Sequence, residues 1–459
     1  MTLQNRKGRI WSTEERVARI LTSKALLFGY FIAVILAGSV VLSLDVAWEA
    51  DGSLRYLDAL FTATSAVCVT GLIVVDTSQF SVFGVVVIIV LIQAGGLGII
   101  TFGTLYLTRT GGRISLANRR LIKDYYLDSV EYDPKRILRN IVILSFSVEL
   151  VGAVALTAAF RQAGVPQPLL NGVFHSVSAF ANAGFSLFDT SLEGFADSVA
   201  VTVPVMALVV VGGIGFVVLS DLHKRSTGRT RVLSLHTRLV LSMSVALVAV
   251  STVVFFVFEG GATLSGVGTR ERWLGALFQA VTPRTAGFNT VIQSDLALPS
   301  QIWTMLLMFV GGAPGSIAGG VKVTTIALVL LLAVRRREMH AEIRVGHRKI
   351  NPTVLNKAGS IVIKSLFLVF SAVLLLSVTE NLLGGRDFSF LELTFETLSA
   401  FCTVGLSLGI TAELSDPGRV LVILVMFGGR LGIIAMAMPG AEPLKRRFVD
   451  YPEGDVLLG

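Results

Sequence analysis

Eight apolar stretches, near residues 25–44, 81–107, 138–160, 200–220, 238–258, 300–334, 358–379 and 417–438, limit what this chain can fold into. Each is about 20 residues or longer, the length a helix needs to cross roughly 30 Å of hydrocarbon. No water in a bilayer core satisfies backbone N–H and C=O groups, so such stretches must close their hydrogen bonds internally, as helices. Composition agrees: 53% of the 459 residues are hydrophobic, 15% are charged and the mean hydropathy is +0.74, outside the range of an ordinary soluble domain. An all-α integral membrane protein with eight transmembrane helices is expected. Met1 to Ser23 is polar and the first apolar run is long enough to stay in the bilayer, so no cleavable signal peptide is expected.

Charge sets the orientation. Most of the 39 Lys and Arg residues fall at the amino end, in the loops near 108–139, 221–238 and 335–364, and at the carboxyl end. By the positive-inside rule that side is the cytoplasm, with both termini on it, in a cell inner membrane. Asp45, Asp76, Asp189, Asp295 and Asp416 fall on the other side, where they are either solvated loop residues or an acidic face that attracts cations. The net charge of +8 reflects this topology and contact with anionic lipid, and no nucleic-acid partner is expected. Cys68 and Cys402 show neither disulfide nor metal spacing.

Between successive pairs of spans stand four related segments: LFTATSAVCVTGL at 60–72, VFHSVSAFANAGF at 173–185, LFQAVTPRTAGF at 277–288 and TFETLSAFCTVGL at 394–406. Each opens on an apolar pair containing Phe and ends on a glycine before a large apolar residue. Phe to Gly is ten residues in three copies and nine in the third, which implies a one-residue adjustment there. Double-glycine marks follow at Gly95, Gly212, Gly311 and Gly428, 24, 28, 24 and 23 residues after those glycines. The chain therefore divides into four units, 25–110, 138–222, 237–335 and 358–438, between cytoplasmic ends at 1–24 and 439–459. A unit of two full spans begins and ends on the same side, so the copies are parallel and related by a pseudo-fourfold axis along the membrane normal. The short segments cannot span; each is expected to be a re-entrant pore helix of about ten residues followed by an extended return strand.

Four loops converging on one axis can replace the hydration shell of a monovalent cation with backbone carbonyls. The candidate filter is Val69, Thr70 and Gly71; Asn182, Ala183 and Gly184; Thr285, Ala286 and Gly287; and Thr403, Val404 and Gly405. It contains no carboxylate, which speaks against a divalent-cation site. Glycine permits backbone angles closed to other residues, and the carbonyl ends of the short helices add negative dipole.

TPRTAGFNT at 282–290, SAFCTVGLSLG at 399–409 and GGAPGSIAGGVK at 311–322 carry a resemblance to the Trk, Ktr and HKT superfamily of potassium transporters, specifically its eight-span KtrB-type membrane subunits. The resemblance covers all four repeats, about 25–438. It implies potassium uptake, with potassium held at the filter carbonyls; a glycine at position 71, where sodium transporters of the family have serine, goes with potassium. Sodium dependence stays open, as does a sodium or mixed monovalent-cation transporter of the same fold. The resemblance further implies a homodimer seated on a cytosolic nucleotide-binding regulatory ring, a KtrA-like subunit, since nothing in this chain has a nucleotide-binding fingerprint. No cofactor is expected within the chain.

The sixth stretch, 300–334, is too long for one straight crossing, and GGAPGSIAGG breaks it in mid-membrane. In the family this loop blocks the pore beneath the filter, which makes Gly311, Gly312, Ala313, Pro314, Gly315, Ser316, Gly319 and Gly320 the candidate gate. Lys322 and Arg430 lie in apolar spans, where a charge needs water or a partner. Arg430 can donate to carbonyls exposed by the broken helix, matching the family's arginine at this place, and Lys322 either brakes cations or reaches toward the cytoplasm. Ala313 and Ile317 stand where the family's loop often carries hydroxyls, and Ile433 where it often carries proline.

Glu149, inside the third span, is expected to be structural. Thr62, His175, Gln279 and Glu396 are read as polar packing near helix starts, and Arg284 as orienting the third loop or its neighbours. An organic-solute carrier would need inverted repeats or a mid-membrane substrate charge, and an enzyme a cluster of His, Cys or acids; the sequence has none of these.

Overall fold

The computed structural model describes residues 13–109, 134–335, 344–345 and 348–437. The expectations for the chain before Thr13, for most of the basic loops at 110–133 and 336–343, and for the carboxyl end beyond Ala437 lie outside these residues. The protein is helical; the strands among the described residues are β1 (Arg344–Val345) and β2 (Arg348–Lys349), an antiparallel pair.

Four units follow one another along the chain. The first is α1 (Thr13–Leu42), α2 (Tyr56–Cys68) and α3 (Val82–Arg109). Next come α4 (Pro134–Gln162), α5 (Pro168–Phe180), α6 (Val199–Ile214) and α7 (Phe216–Ser226). The third unit holds α8 (Leu235–Phe258), α9 (Thr269–Val281), α10 (Leu298–Phe309) and α11 (Val323–Arg335), and the fourth α12 (Pro352–Ser377), α13 (Phe390–Cys402) and α14 (Asp416–Ala437). The short helices α2, α5, α9 and α13 are each 13 residues long. Local chemistry starts them where the sequence allows: Pro168 occupies the first turn of α5, where its missing N–H costs nothing, and Ser389 with Glu392 forms a capping box on α13.

Each unit opens on a long apolar helix. The stretches Ala25–Leu42, Leu138–Gln162, Leu235–Gly261 and Pro352–Leu383 have mean hydropathy of 2.2 to 2.5 and are long enough to cross a membrane. The second spans diverge. α3 and α14 are continuous, whereas 310–322 separates α10 from α11, as the glycines there require. The expected crossing at 200–220 is not one straight helix, because α6 and α7 meet at 99°. Pro204 lies inside α6 and does not end it; the break is at Gly215, whose φ of +92° lies in the region that favours glycine.

The Phe that opens each short segment anchors the core: Phe61, Phe174, Phe278 and Phe395 are all buried. Their regular placement buries one large aromatic in each of the four short helices, where it contributes through van der Waals packing. Buried carboxylates tie the starts of two later helices to the ends of the long ones before them. Glu259 accepts from the Ala297 amide at the start of α10 (3.0 Å), and Glu380 from the Ser415 amide at the start of α14 (3.0 Å). No peptide links unit 4 back to unit 1, and there two ion pairs cross between α2 and α14: Arg55 with Asp416 at 2.7 Å, and the largely buried Asp58 with Arg419.

Candidate ion pathway

The four loop glycines form a closed ring. A methyl carbon placed on Gly71 would stand 2.4 Å from the Ala183 carbonyl oxygen; on Gly184, 2.9 Å from that of Ala286; on Gly287, 2.3 Å from that of Val404; and on Gly405, 2.3 Å from that of Thr70. Each glycine thus abuts the carbonyl preceding the next one, and the fourth contact returns to the first loop. All four have positive φ, +92°, +71°, +79° and +94°. Two residues earlier, Val69, Asn182, Thr285 and Thr403 also take left-handed conformations, with φ between +51° and +69°. That is costly for β-branched Val and Thr, on the order of 1–3 kcal/mol each, and persists only where surrounding structure imposes it.

The hydroxyls of the short segments supply part of that imposition. Ser65 Oγ accepts from the Gly71 amide and Ser399 Oγ from the Gly405 amide, both at 3.0 Å. Ser178 Oγ donates to the Phe185 carbonyl (2.8 Å), and Thr282 Oγ1 to that of Phe288 (2.6 Å). Thr282 lies five residues before its glycine and the serines six, so the shortened third copy keeps its brace. The hydroxyls of Thr70, Thr285 and Thr403, by contrast, are buried without a protein partner.

The polar residue after each Phe does more than fill space near a helix start, which corrects the reading from sequence. His175 Nε2 meets Ser186 Oγ at 3.0 Å, Gln279 pairs with Gln293 at 2.9 Å, and Glu396 accepts from Ser407 (2.7 Å) and Thr411 (2.6 Å). These bonds fasten α5, α9 and α13 each to the segment that follows it. Thr62 alone of the four bonds back to its helix, at the Asp58 carbonyl. Arg284 donates to Ser244 of α8 at 3.1 Å, linking the third loop to a neighbouring span.

In units 1, 2 and 4 the double-glycine marks are where the later apolar helix touches the short one. A methyl on Gly95, Gly212 or Gly429 would stand 1.8, 1.9 and 1.8 Å from the carbonyl oxygens of Val67, Phe180 and Phe401, each four residues before a ring glycine. In the fourth unit the packing glycine is Gly429 rather than the expected Gly428, which makes its spacing equal to that of the first unit. Gly95→Ala should therefore destabilise the protein by about 3 kcal/mol or more, since its neighbour is rigid backbone. Thermal unfolding in detergent would register this, and Gly428→Ala, where nothing lies within 4 Å, is the silent control.

In the third unit the mark is diverted. Gly311 packs on the carbonyl of Gly319, and Val310 bridges Val321, so 311–320 closes on itself. The loop docks on the break in unit 2: the Ala313 amide donates to the Gly213 carbonyl (2.9 Å), and the Phe216 amide to that of Gly315 (3.2 Å). Two interrupted helices thereby satisfy each other's freed backbone groups, as membrane depth demands. Gly215 gives the clearance, because a side chain there would meet the Pro314 oxygen at 2.8 Å. Gly213 and Gly215 were not singled out from sequence; the signal was the GGIG segment at 212–215, whose last glycine makes the turn.

The loop also reaches the other two units. Ile317, buried, lies against Gly96, and a methyl on Gly319 would stand 2.0 Å from Thr403 Oγ1, at the foot of the fourth ring loop. Gly312 and Gly320 leave room for Ala318 and Gly311, and Ser316 Oγ folds onto the Ala313 carbonyl (2.6 Å). Arg430, 4% exposed, donates Nη1 to the Ile317 carbonyl and Nη2 to that of Gly95 at 3.5 Å. Lys322 turns its Nζ back to the Ala318 carbonyl (2.6 Å), within its own loop. The side chain of Ile433 lies outside what is described.

An all-helical membrane scaffold of this kind fits a cation transport protein. The sequence profile so described, TrkH, matches residues 27–444, and the chain belongs to that family of transporters, which are not enzymes. It is 36% identical to the Ktr system potassium uptake protein B of Bacillus subtilis (strain 168) over the full length of both chains. To the protein of the same name from Vibrio alginolyticus it is 35% identical, covering 94% of this chain and 93% of that one. Its identity to the potassium/sodium uptake protein NtpJ of Enterococcus hirae is 33%, over 97% and 99%. In fold it resembles the crystal structure of the potassium transporter TrkH from Vibrio parahaemolyticus, with a TM-score of 0.73 over 96% of this chain and 88% of that one, at 19% identity.

Proposed function

We propose that this protein carries potassium into the cell across the cytoplasmic membrane, through a selectivity filter made by the ring of Gly71, Gly184, Gly287 and Gly405. The closed cycle of glycine-to-carbonyl contacts carries this reading, because it brings oxygen atoms from four loops around one axis. Four pore helices end at the ring, and their carbonyl ends favour a cation there without any carboxylate. The loop 311–320 is the gate. It lies against the fourth ring loop at Thr403 and is pinned by Arg430, so it must move before an ion can pass. Full-length relatives named as potassium uptake proteins support the choice of ion.

Transport of sodium together with potassium is the second reading, favoured by the relative named for both ions. Purified protein in lipid vesicles should accumulate potassium several-fold faster than sodium under equal gradients. Equal rates would establish the second reading, and no flux of either ion would overturn both. A homodimer resting on a KtrA-like cytosolic ring of nucleotide-binding subunits, with both termini cytoplasmic, completes the proposal. The basic loops are the surface such a partner would use, and adding it to the same vesicles should change the rate.

A further inference from the structure

A carboxylate in the middle of a membrane span is costly unless something neutralises it, and Glu149 has only part of a partner. It lies within the apolar stretch of α4 and is 5% exposed. Its Oε2 accepts from Gln93 Nε2 of α3 at 2.7 Å, while Oε1 is buried with no hydrogen bond. One turn earlier on the same helix face, Ser145 is fully buried and its Oγ also lacks a partner. That is unusual for a helical serine, which can donate to the carbonyl four residues back, as Ser147 does to Ile143 at 2.7 Å. No Lys, Arg or His among the described residues pairs with Glu149, and a neutral amide cannot cancel its charge.

We propose that Glu149 and Ser145 hold a monovalent cation between α3 and α4, at a site separate from the glycine ring. The donors are hard oxygens, a carboxylate and a hydroxyl, which suits an alkali cation. One carboxylate balances one positive charge; a divalent ion would leave an excess and calls for more acidic ligands. Sodium and potassium share this chemistry, and the experiment separates them.

The site communicates with the gate through a short path. Gln93 precedes Gly95 by two residues on α3, and the Gly95 carbonyl accepts from Arg430, which also holds Ile317 of the gate loop. An ion drawing Glu149 toward Ser145 changes the pull on Gln93, and with it the place of Gly95 beneath Arg430. This second step rests on the gate reading above; cation binding does not.

The test uses full-length purified protein in detergent, with choline chloride as background and either NaCl or KCl as the probe. Calorimetry should count one more cation in the wild type than in Glu149→Gln, and whichever salt fills the site should raise the unfolding midpoint of the wild type more than that of the variant, in which the ring alone binds. Ser145→Ala, a small change that should leave folding intact, should weaken this binding about tenfold. Equal cation counts in wild type and Glu149→Gln, or unaltered binding in Ser145→Ala, would overturn the site. So would equal counts joined to a difference in pH dependence alone, which would make Glu149 a proton site. In vesicles, Glu149→Gln should keep the potassium-to-sodium flux ratio of the wild type and lose the dependence of rate on the site's cation. If instead the ring reading is wrong, wild type and variant alike will lack potassium preference.

Discussion

Replacing Gly71 with serine should lower the preference for potassium over sodium by about tenfold while the protein still folds. Position 71 has a φ of +92°, and a β-carbon there would stand 2.4 Å from the Ala183 oxygen and 3.0 Å from Gly184 Cα. Both neighbours are ring backbone, so relief comes from moving the carbonyls that would surround the ion. A non-glycine residue in such a conformation costs about 1–3 kcal/mol. A shift of about 1.4 kcal/mol between two ions is a tenfold change in their ratio. Paired potassium and sodium uptake assays on reconstituted vesicles read the outcome. Gly164→Ser is the control, since Gly164 has a φ of +72° with nothing within 4 Å and should leave the ratio alone. A Gly71→Ser protein with unchanged selectivity would count against the filter.

Excising Gly311–Gly320 should raise potassium flux, and Arg430→Gln should move it the same way by about ten- to a hundredfold. The guanidinium donates to the Ile317 carbonyl inside the loop and to Gly95 on α3, holding two elements from different units together. Hydrogen bonds from a charged donor contribute about 1.5–3 kcal/mol each, which as a shift of a closed-to-open equilibrium gives that range. The excision removes the docking bonds to Gly213 and Phe216 as well, so its effect should be at least as large. A deleted protein that runs as a folded species by size exclusion yet passes no ion would sink the gate.

Much of this was legible in the residues. The Phe and Gly at the two ends of each short segment are the core anchor and the ring contact, and the shared spacing allowed four weak signals to be read as one. Arg430 could be matched to exposed carbonyls because a broken helix must leave some unpaired. The 99° turn at Gly215 was not legible, since a glycine in an apolar span is more often a packing surface than a break. Its cause lies a hundred residues away, in the amide of Ala313 and the carbonyl of Gly315 that make the break tolerable. Likewise, no pattern distinguishes a Ser that accepts from a ring glycine's amide, such as Ser65, from one that donates to the carbonyl just after a ring glycine, such as Ser178.

Hydropathy by itself determined that the chain is helical and lives in a bilayer, because a hydrocarbon solvent leaves backbone groups few ways to be satisfied. Tertiary structure alone decided which glycine faces which carbonyl, where unit 2 bends to receive the loop of unit 3, and which charge holds that loop. Those outcomes depend on contacts of a few ångströms between residues far apart in the chain, and no local pattern encodes such a distance.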